Sequence, residues 1–470
     1  MAIRTAAPGA EPGLAPAAVP PGQPESPPER RAFIPAKLLG IRQQLADPLS
    51  RNGYALIANS AATGVLGLVY WLLMARLYPA ADVGRAAAIY AAMNLLAGFT
   101  ALNFNGVLTR FIPQAGQQTR TFVLRAYTVS AVASVGVAIL FLLTISLWGP
   151  SYSELGGLVA GAVFTGCVVT WAIFTLQDSV LVGLRSAFWV LVENGIFGIV
   201  KIVLLALLVT SLPRHVGIYA SWMLPVVVAV PLVNMLIFRR LVPRHSVLTS
   251  EFEPPTSRQI GRFLAGDYSG ALFLLATGSL IPVVVAARID VRSTAYFYMA
   301  WIIAAIVDMI GINMGMSLTV EGAFDAARLA VNCRKALRKM ACMLVPCAAL
   351  VALLAPWGLR LFGPAYAANG APVLELLAIA TLPRAATELY LGALRAQSRT
   401  TLVALIQAVR CVLMLGLAVV LTGIIGTIGA GVAVITSQAV IAVLISFGLW
   451  RVLTGDRERK VPITTEVSTR

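Results

Sequence analysis

Between residues 53 and 450, apolar runs of about 20 residues alternate with short polar connections, and few charges fall inside a run. An α-helix of that length matches the hydrocarbon thickness of a bilayer. Segmentation on this basis predicts spans at 53–75, 86–108, 126–148, 157–181, 188–210, 216–238, 267–287, 294–318, 340–360, 372–394, 401–422 and 428–450. The expected fold is an all-α polytopic membrane protein of about 12 transmembrane helices. Composition agrees: 59% of the 470 residues are apolar, 12% are charged and mean hydropathy is +0.84, against about 45–50% apolar and 25% charged in soluble domains. A single soluble core is excluded.

The polar stretches set the organisation. Residues 1–50 hold ten of the 26 prolines and run through PPGQPESPPERR, without an apolar core of signal-peptide length, so a disordered tail is expected there. Within it, Leu38, Leu39, Ile41 and Leu45 alternate with Lys37, Arg42 and Asp47 over 36–49. That pattern suits either a helix lying on the membrane surface or a plain linker. With the N-terminus inside, about three-quarters of the 36 Lys and Arg fall in cytoplasmic segments, as the positive-inside rule requires. Both termini are then cytoplasmic. The net charge of +16 serves as membrane anchoring with anionic lipids as partners, and no nucleic acid is needed to explain it. A linker at 241–266 divides a first six-helix bundle, 51–240, from a second, 267–450, and 451–470 forms a second cytoplasmic tail.

Several chemistries are excluded. The two histidines, His215 and His245, lie in separate polar connections, so no histidine metal site or catalytic triad can form. None of the five lysines follows a glycine, and the phosphate loop of an ATPase is missing. Cys167, Cys342, Cys347 and Cys411 fall in spans and Cys333 in a basic connection, which predicts no disulfide framework. The expectation is a non-enzyme without cofactor or metal.

The second half repeats the first. Ala75-Arg76 aligns with Ala287-Arg288, Asp82-Val83 and Tyr90 with Asp290-Val291 and Tyr298, and Asn105 with Asn313. Further along, Leu124-Arg125 meets Leu337-Arg338, Gly149-Pro150-Ser151-Tyr152 meets Gly363-Pro364-Ala365-Tyr366, and Asp178 with Leu184-Arg185 meets Glu388 with Leu394-Arg395. Six spans per half give both halves the same orientation, and such parallel repeats relate by an axis along the membrane normal.

Two stretches resemble a known family. Arg51-Asn52 followed by LGLVYWLLMARLYPAADVGRAAAIYAAMNLLAGFTALNFNGVLTRFIP is similar to the first two spans of bacterial polysaccharide and oligosaccharide flippases of the multidrug/oligosaccharidyl-lipid/polysaccharide exporter (MOP) superfamily. LFGPAYAANGAPVLELLAIATLPRAATELYLGALRAQSRTT is similar to their ninth to eleventh spans. The resemblance covers most of 50–450 and is nearest to actinobacterial members serving lipopolysaccharide or capsule assembly. It implies a two-bundle fold of the multidrug-exporter (MATE) type in the bacterial plasma membrane. The implied activity is movement of polyprenyl-diphosphate-linked oligosaccharide from the cytoplasmic to the outer leaflet, with a polysaccharide polymerase or glycosyltransferases as further candidate partners. Lipid II flippases usually have fourteen spans, which ranks that substrate lower.

Charge inside a span normally faces a cavity or a partner. Lys201, Arg410 and Arg384 are the candidate cations for a lipid diphosphate, since a fixed cation offsets part of the phosphate's desolvation. Asn194, seven residues before Lys201 on nearly the same helix face, is a candidate hydrogen-bond donor. Against this, Arg384 and Glu388 sit at i and i+4 and can neutralise one another, and Lys201 can pair with Asp178 or Asp308. Arg76 and Arg288, at equivalent outer ends, are candidates for guiding phosphate or simply snorkelling. Asn105 and Asn313, with Asn59, Asn94 and Asn103, offer amides to substrate or glue helices together. Asp308, Asp178, Glu193 and Glu388 are candidates for ion coupling or charge pairing. Tyr70, Trp71, Tyr78, Trp148, Tyr152, Trp357 and Tyr366 gather at outer ends as an expected interfacial belt. Alternatives to a flippase are a multidrug or cation exporter, a membrane glycosyltransferase or polymerase, and a non-transporting scaffold for polysaccharide assembly.

Overall fold

The computed structural model describes residues 48–249, 256, 258–261, 272–273, 275–324 and 328–454. The expected surface helix at 36–49 lies outside them, apart from its last two residues. In chain order the helices are α1 (Pro48–Leu77), α2 (Ala80–Phe111), α3 (Thr119–Leu143), α4 (Leu158–Gly183), α5 (Ala187–Ser211) and α6 (Arg214–Leu236). They continue with α7 (Val242–Leu248), α8 (Ile281–Arg288), α9 (Val291–Phe324), α10 (Leu329–Arg360), α11 (Pro364–Ala396) and α12 (Thr400–Thr454). Among the described residues no strand occurs and nine helices are long and apolar enough to cross a membrane on their own, with α2 making ten as a bent span. α12 breaks at Ile425 and Gly426, where the backbone leaves helical angles, and folds back so that Gln438 lies against Met414. Its two arms supply separate crossings. The apolar helix Ala276–Arg288 occupies the place of the remaining one, and about twelve crossings result.

Helices overrun the predicted spans because Lys, Arg and Ala are good helix formers beyond the bilayer as well as within it. α10 begins at Leu329, and Arg334, Lys335, Arg338 and Lys339 extend it outside the apolar window. α6 continues through a π turn, Ile237–Leu241, into α7. There the buried His245 contacts the Ile112 carbonyl through Nε2 at 2.9 Å. Part of the stretch read as linker is therefore helix docked on the first half. At the start of α9, Asp290 caps the helix, its carboxylate accepting from the Arg292 and Ser293 N–H groups at 2.9 and 3.0 Å, as N-cap aspartates do.

Most packing stays within each half: α1 on α5, α2 on α4 and α5 on α6 in the first, α9 on α11, α10 on α11 and α11 on α12 in the second. The halves meet mainly along α2 and α9. At the face carrying the turns around residues 79, 150, 290 and 363, one apolar core runs unbroken through both, from Tyr70, Trp71 and Met74 to Ile281, Phe297 and Met299. Toward the opposite face the buried apolar residues separate, around Leu108, Leu181 and Ile237 in the first half and around Met340, Leu389 and Leu394 in the second. The molecule is joined at one face and divided at the other.

The repeat shapes this junction. Tyr90 and Tyr298, equivalent in sequence, meet edge to face with centroids 6.4 Å apart. The paired turns at Gly149 and Gly363 both carry positive φ, 80° and 144°, and each leads through a proline to a buried tyrosine, Tyr152 or Tyr366. Ser151 donates to the Ala286 carbonyl at 3.2 Å. Gly84 is the tightest point, since a β-carbon there would overlap the Val291 carbonyl. Packed interfaces switch between discrete arrangements rather than stretching. Gly84→Val is thus expected to part the halves at the joined face. Spin labels at Ser153 and Asp290, in a background without other cysteines, should report a longer distance in this variant and no change in Gly156→Val, where the added carbons meet open space.

Candidate functional site

The buried charges divide unequally between the halves. In the second half they form two ion pairs across helices: Arg384 on α11 meets Asp308 on α9 at 2.6 Å, and Arg410 on α12 meets Glu388 on α11 at 2.8 Å. The i,i+4 neutralisation of Arg384 by Glu388 is replaced by these cross-helix contacts, because helix packing carries each side chain to a neighbour. Arg410 is fully buried, and its Nε and Nη2 have no partner among the described residues. Four charges here sum to zero.

In the first half Lys201 has no carboxylate partner among the described residues. None of the ion pairs among the described residues includes it, and neither Asp178 nor Asp308 reaches it. Its side chain is 5% exposed, with Nζ 4.1 Å from the ring centre of Trp222, 4.7 Å from Phe197 and 4.9 Å from Tyr70. Such cation–π contacts return about 2 kcal/mol when desolvated, whereas burying an ion costs several. Three rings thus offset part of that cost, and no carboxylate among the described residues pairs with the ammonium. At the repeat spacing of about 210 residues, Asp178 and Lys201 correspond to Glu388 and Arg410. The second pair is closed and the first is open.

Tyr70 and Trp222 also wall a cavity of about 480 Å³. Trp71, Tyr90, Phe164 and Tyr219 complete its aromatic lining, and Glu154 stands in its wall. Arg85 holds Glu154 at 2.6 Å and the Tyr219 hydroxyl donates to it at 3.5 Å. Five of the seven aromatics expected in an interfacial belt, Tyr70, Trp71, Tyr78, Tyr152 and Tyr366, are instead buried. Periodicity marks helix ends but not which way a ring turns. Of that group Trp357, 68% exposed, faces outward.

Toward the divided face the first half carries carboxylates that pair with no cation among the described residues. Asn194 donates to both oxygens of Asp178, at 3.2 and 3.1 Å, so its amide is engaged by protein. Glu193 is 6% exposed and both of its oxygens lack a partner among the described residues, as does the nearby Tyr127 hydroxyl. Asn105 accepts from Ser179 at 2.9 Å, and Asn94 accepts from Trp171 at 3.3 Å, joining helices. Asn313 is exposed on the side of α9 opposite its seam with Ala385 and Glu388 of α11. Arg76 donates to the carbonyls of Leu361 and Arg360 and so ties the halves at the joined face, while Arg288 is exposed. The side chain of Asn103 lies outside the described residues. Phe197 and Trp222 in the lysine box, with Arg85 and Glu154 at the cavity, are additions from tertiary structure. Only the four-residue step from Phe197 to Lys201 was visible in sequence.

No family model matches the chain, and no curated relative matches it. Solved structures do. An inward-facing multidrug resistance MATE transporter of the MOP superfamily superposes with TM-score 0.65 at 15% identity, covering 86% of this chain and 100% of that one. The lipid II flippase MurJ in an inward closed conformation gives 0.65 at 13% identity over 85% and 90%. An outward-facing MATE transporter gives 0.54 at 15% identity over 89% and 99%. The chain has the fold of these multi-pass membrane proteins, and at such identities the likeness is one of fold.

Removing one member of a buried ion pair strands the other, at a cost of about 3–5 kcal/mol. Glu388→Ala is expected to lower thermal stability in detergent by about that amount, with most of it regained in Glu388→Ala/Arg410→Met, as measured by the fraction remaining monodisperse after heating.

Proposed function

We propose that this protein is a flippase that moves a polyprenyl-diphosphate-linked oligosaccharide across the bacterial plasma membrane by alternating access, for assembly of a cell-surface polysaccharide. The observation that carries the reading is Lys201, a buried cation whose neighbours are aromatic rings rather than carboxylates. A diphosphate supplies the missing negative charge, and a cation waiting in a low-dielectric passage offsets the cost of bringing phosphate into it. Joined and divided faces support the rocking of one half against the other. The Lys and Arg of the connections favour a cytoplasmic position for the divided face, where a lipid-linked precursor would enter. The flippase resemblance of residues 50–450 and the shared fold point the same way.

Ion coupling, in this reading, belongs to Asp178 and Glu193, because Asp308 and Glu388 are held by arginines. A second reading has its own observation. These two carboxylates and the aromatic cavity suit an apolar cation, the cargo of a multidrug exporter. The two differ in which charge matters: an anionic cargo depends on Lys201, a cationic one on the acids.

In a strain lacking the gene, wild type is expected to restore surface polysaccharide. Lys201→Ala at matched membrane level should lower export about tenfold or more, the equivalent of losing about 1.4 kcal/mol, and should accumulate lipid-linked precursor. Lys201→Arg, which keeps the charge, should retain part of the export. Normal export with Lys201→Ala, or drug resistance that depends on Glu193 alone, would favour the exporter.

A further inference from the structure

α10 carries its charge on one side. Arg334, Lys335, Arg338 and Lys339, all exposed, fall within two turns at the divided-face end of the helix, while Cys333, Ala336 and Met340 bury its other side. Arg334 and Arg338 are four residues apart, as are Lys335 and Lys339, and like charges so placed repel and weaken a helix. Sequence offers no relief, since no acidic residue occurs between Asp325 and Glu375. Nor does packing: none of the ion pairs among the described residues includes any of the four, and their side chains show there only a hydrogen bond from Arg334 Nε to the Ala330 carbonyl at 3.4 Å, inside the same helix. A general bias of cations toward one side of a membrane acts on both halves and does not account for this cluster. In the register that pairs Leu124-Arg125 with Leu337-Arg338, the four fall opposite Thr121, Phe122, Arg125 and Ala126 of α3, of which one is a cation.

The same side of α10 continues as hydrocarbon. Val345, Leu353 and Trp357 follow Arg338 at steps that return to nearly one side of a helix, and all three are exposed, Leu353 by 76%. From Arg338 to Trp357 is about 28 Å at the helical rise, close to the hydrocarbon thickness of a bilayer, about 30 Å. A crossing with Trp357 at one interface therefore sets the four cations among headgroups at the other. A ligand matching this surface needs an anionic head and apolar chains in one molecule, and an acidic protein supplies only the first. We propose that this side of α10 is a binding site for anionic phospholipid, with headgroup phosphate among Arg334, Lys335, Arg338 and Lys339 and acyl chains along Val345 and Leu353. Phosphate there places negative charge between the like-charged pairs and replaces their repulsion with charge-assisted hydrogen bonds. Net charge gives the whole protein an affinity for anionic membranes; this site assigns a preference to one helix of the second half. It does not depend on what the protein carries.

Native mass spectrometry of the purified full-length protein, titrated in detergent with phosphatidylglycerol or phosphatidylcholine, counts the lipids that stay bound. Wild type is expected to hold phosphatidylglycerol at least about tenfold more tightly than phosphatidylcholine. Arg334→Gln/Lys335→Gln/Arg338→Gln/Lys339→Gln should bring that preference to within about twofold, whereas Arg120→Gln/Arg125→Gln, which removes exposed cations of α3, should leave it as in wild type. In wild type, which avoids any question of misfolding, phosphatidylglycerol with a photoreactive acyl chain should label peptides of α10 in preference to those of α3. Equal affinity for the two lipids in wild type, a preference that survives loss of the four cations, or an equal loss in the α3 variant would overturn the site. So would displacement of the lipid by equimolar glycerol 3-phosphate, which has the head without the chains, or by poly-glutamate.

Discussion

A charge inside hydrocarbon-like packing must find a partner or be held at the expense of the fold. Arg410 meets this condition through Glu388, and Arg384 through Asp308. The result is a second half whose buried charges are internally settled and whose α9, α11 and α12 are tied together by them. Lys201 meets it only in part, through three aromatic rings. Repeat-equivalent positions hold an acid and a cation in each half, yet only in the second do the two touch.

The same asymmetry extends to the surroundings. Around Lys201 the helices keep open space on two sides: the aromatic cavity beyond Tyr70 and Trp222, and a groove between α5 and α6 beyond Phe197. Around Arg384 and Glu388 the corresponding space is closed by Leu344 and Ala385. One half closes around its buried charges and the other leaves space beside its lysine, although both follow the same pattern of six helices. At the joined face the repeat brings like to like, with Tyr90 against Tyr298 and paired Gly-Pro turns supporting paired tyrosines. An interface made of close backbone approaches releases as a unit.

Much of this architecture was legible in the order of residues. Apolar runs of bilayer length fix the number of crossings to about twelve, because an unpaired backbone in lipid leaves helix as the available solution. Scarce intramembrane charges identify themselves by their cost, and the repeat could be read from Asp82-Val83 and Asp290-Val291 or from the Gly-Pro turns. Partners were not legible. Spacing placed Glu388 one turn from Arg384, whereas tertiary packing gave each a partner on another helix. Tyr70 and Trp71 sat at a helix end like ordinary interfacial aromatics, and only the docking of α2 and α6 turned them inward.

Sequence by itself therefore determined the solvent this chain folds in, its helical class, the two-fold repetition and the short roster of residues able to carry charge through a membrane. These depend on local quantities, the length of an apolar run and the identity of a side chain within it. Which cation meets a carboxylate and which meets only aromatic rings was decided only in the tertiary structure. That choice rests on a few ångströms between helices far apart in the chain, and helical periodicity specifies a residue's face without specifying what packs against it.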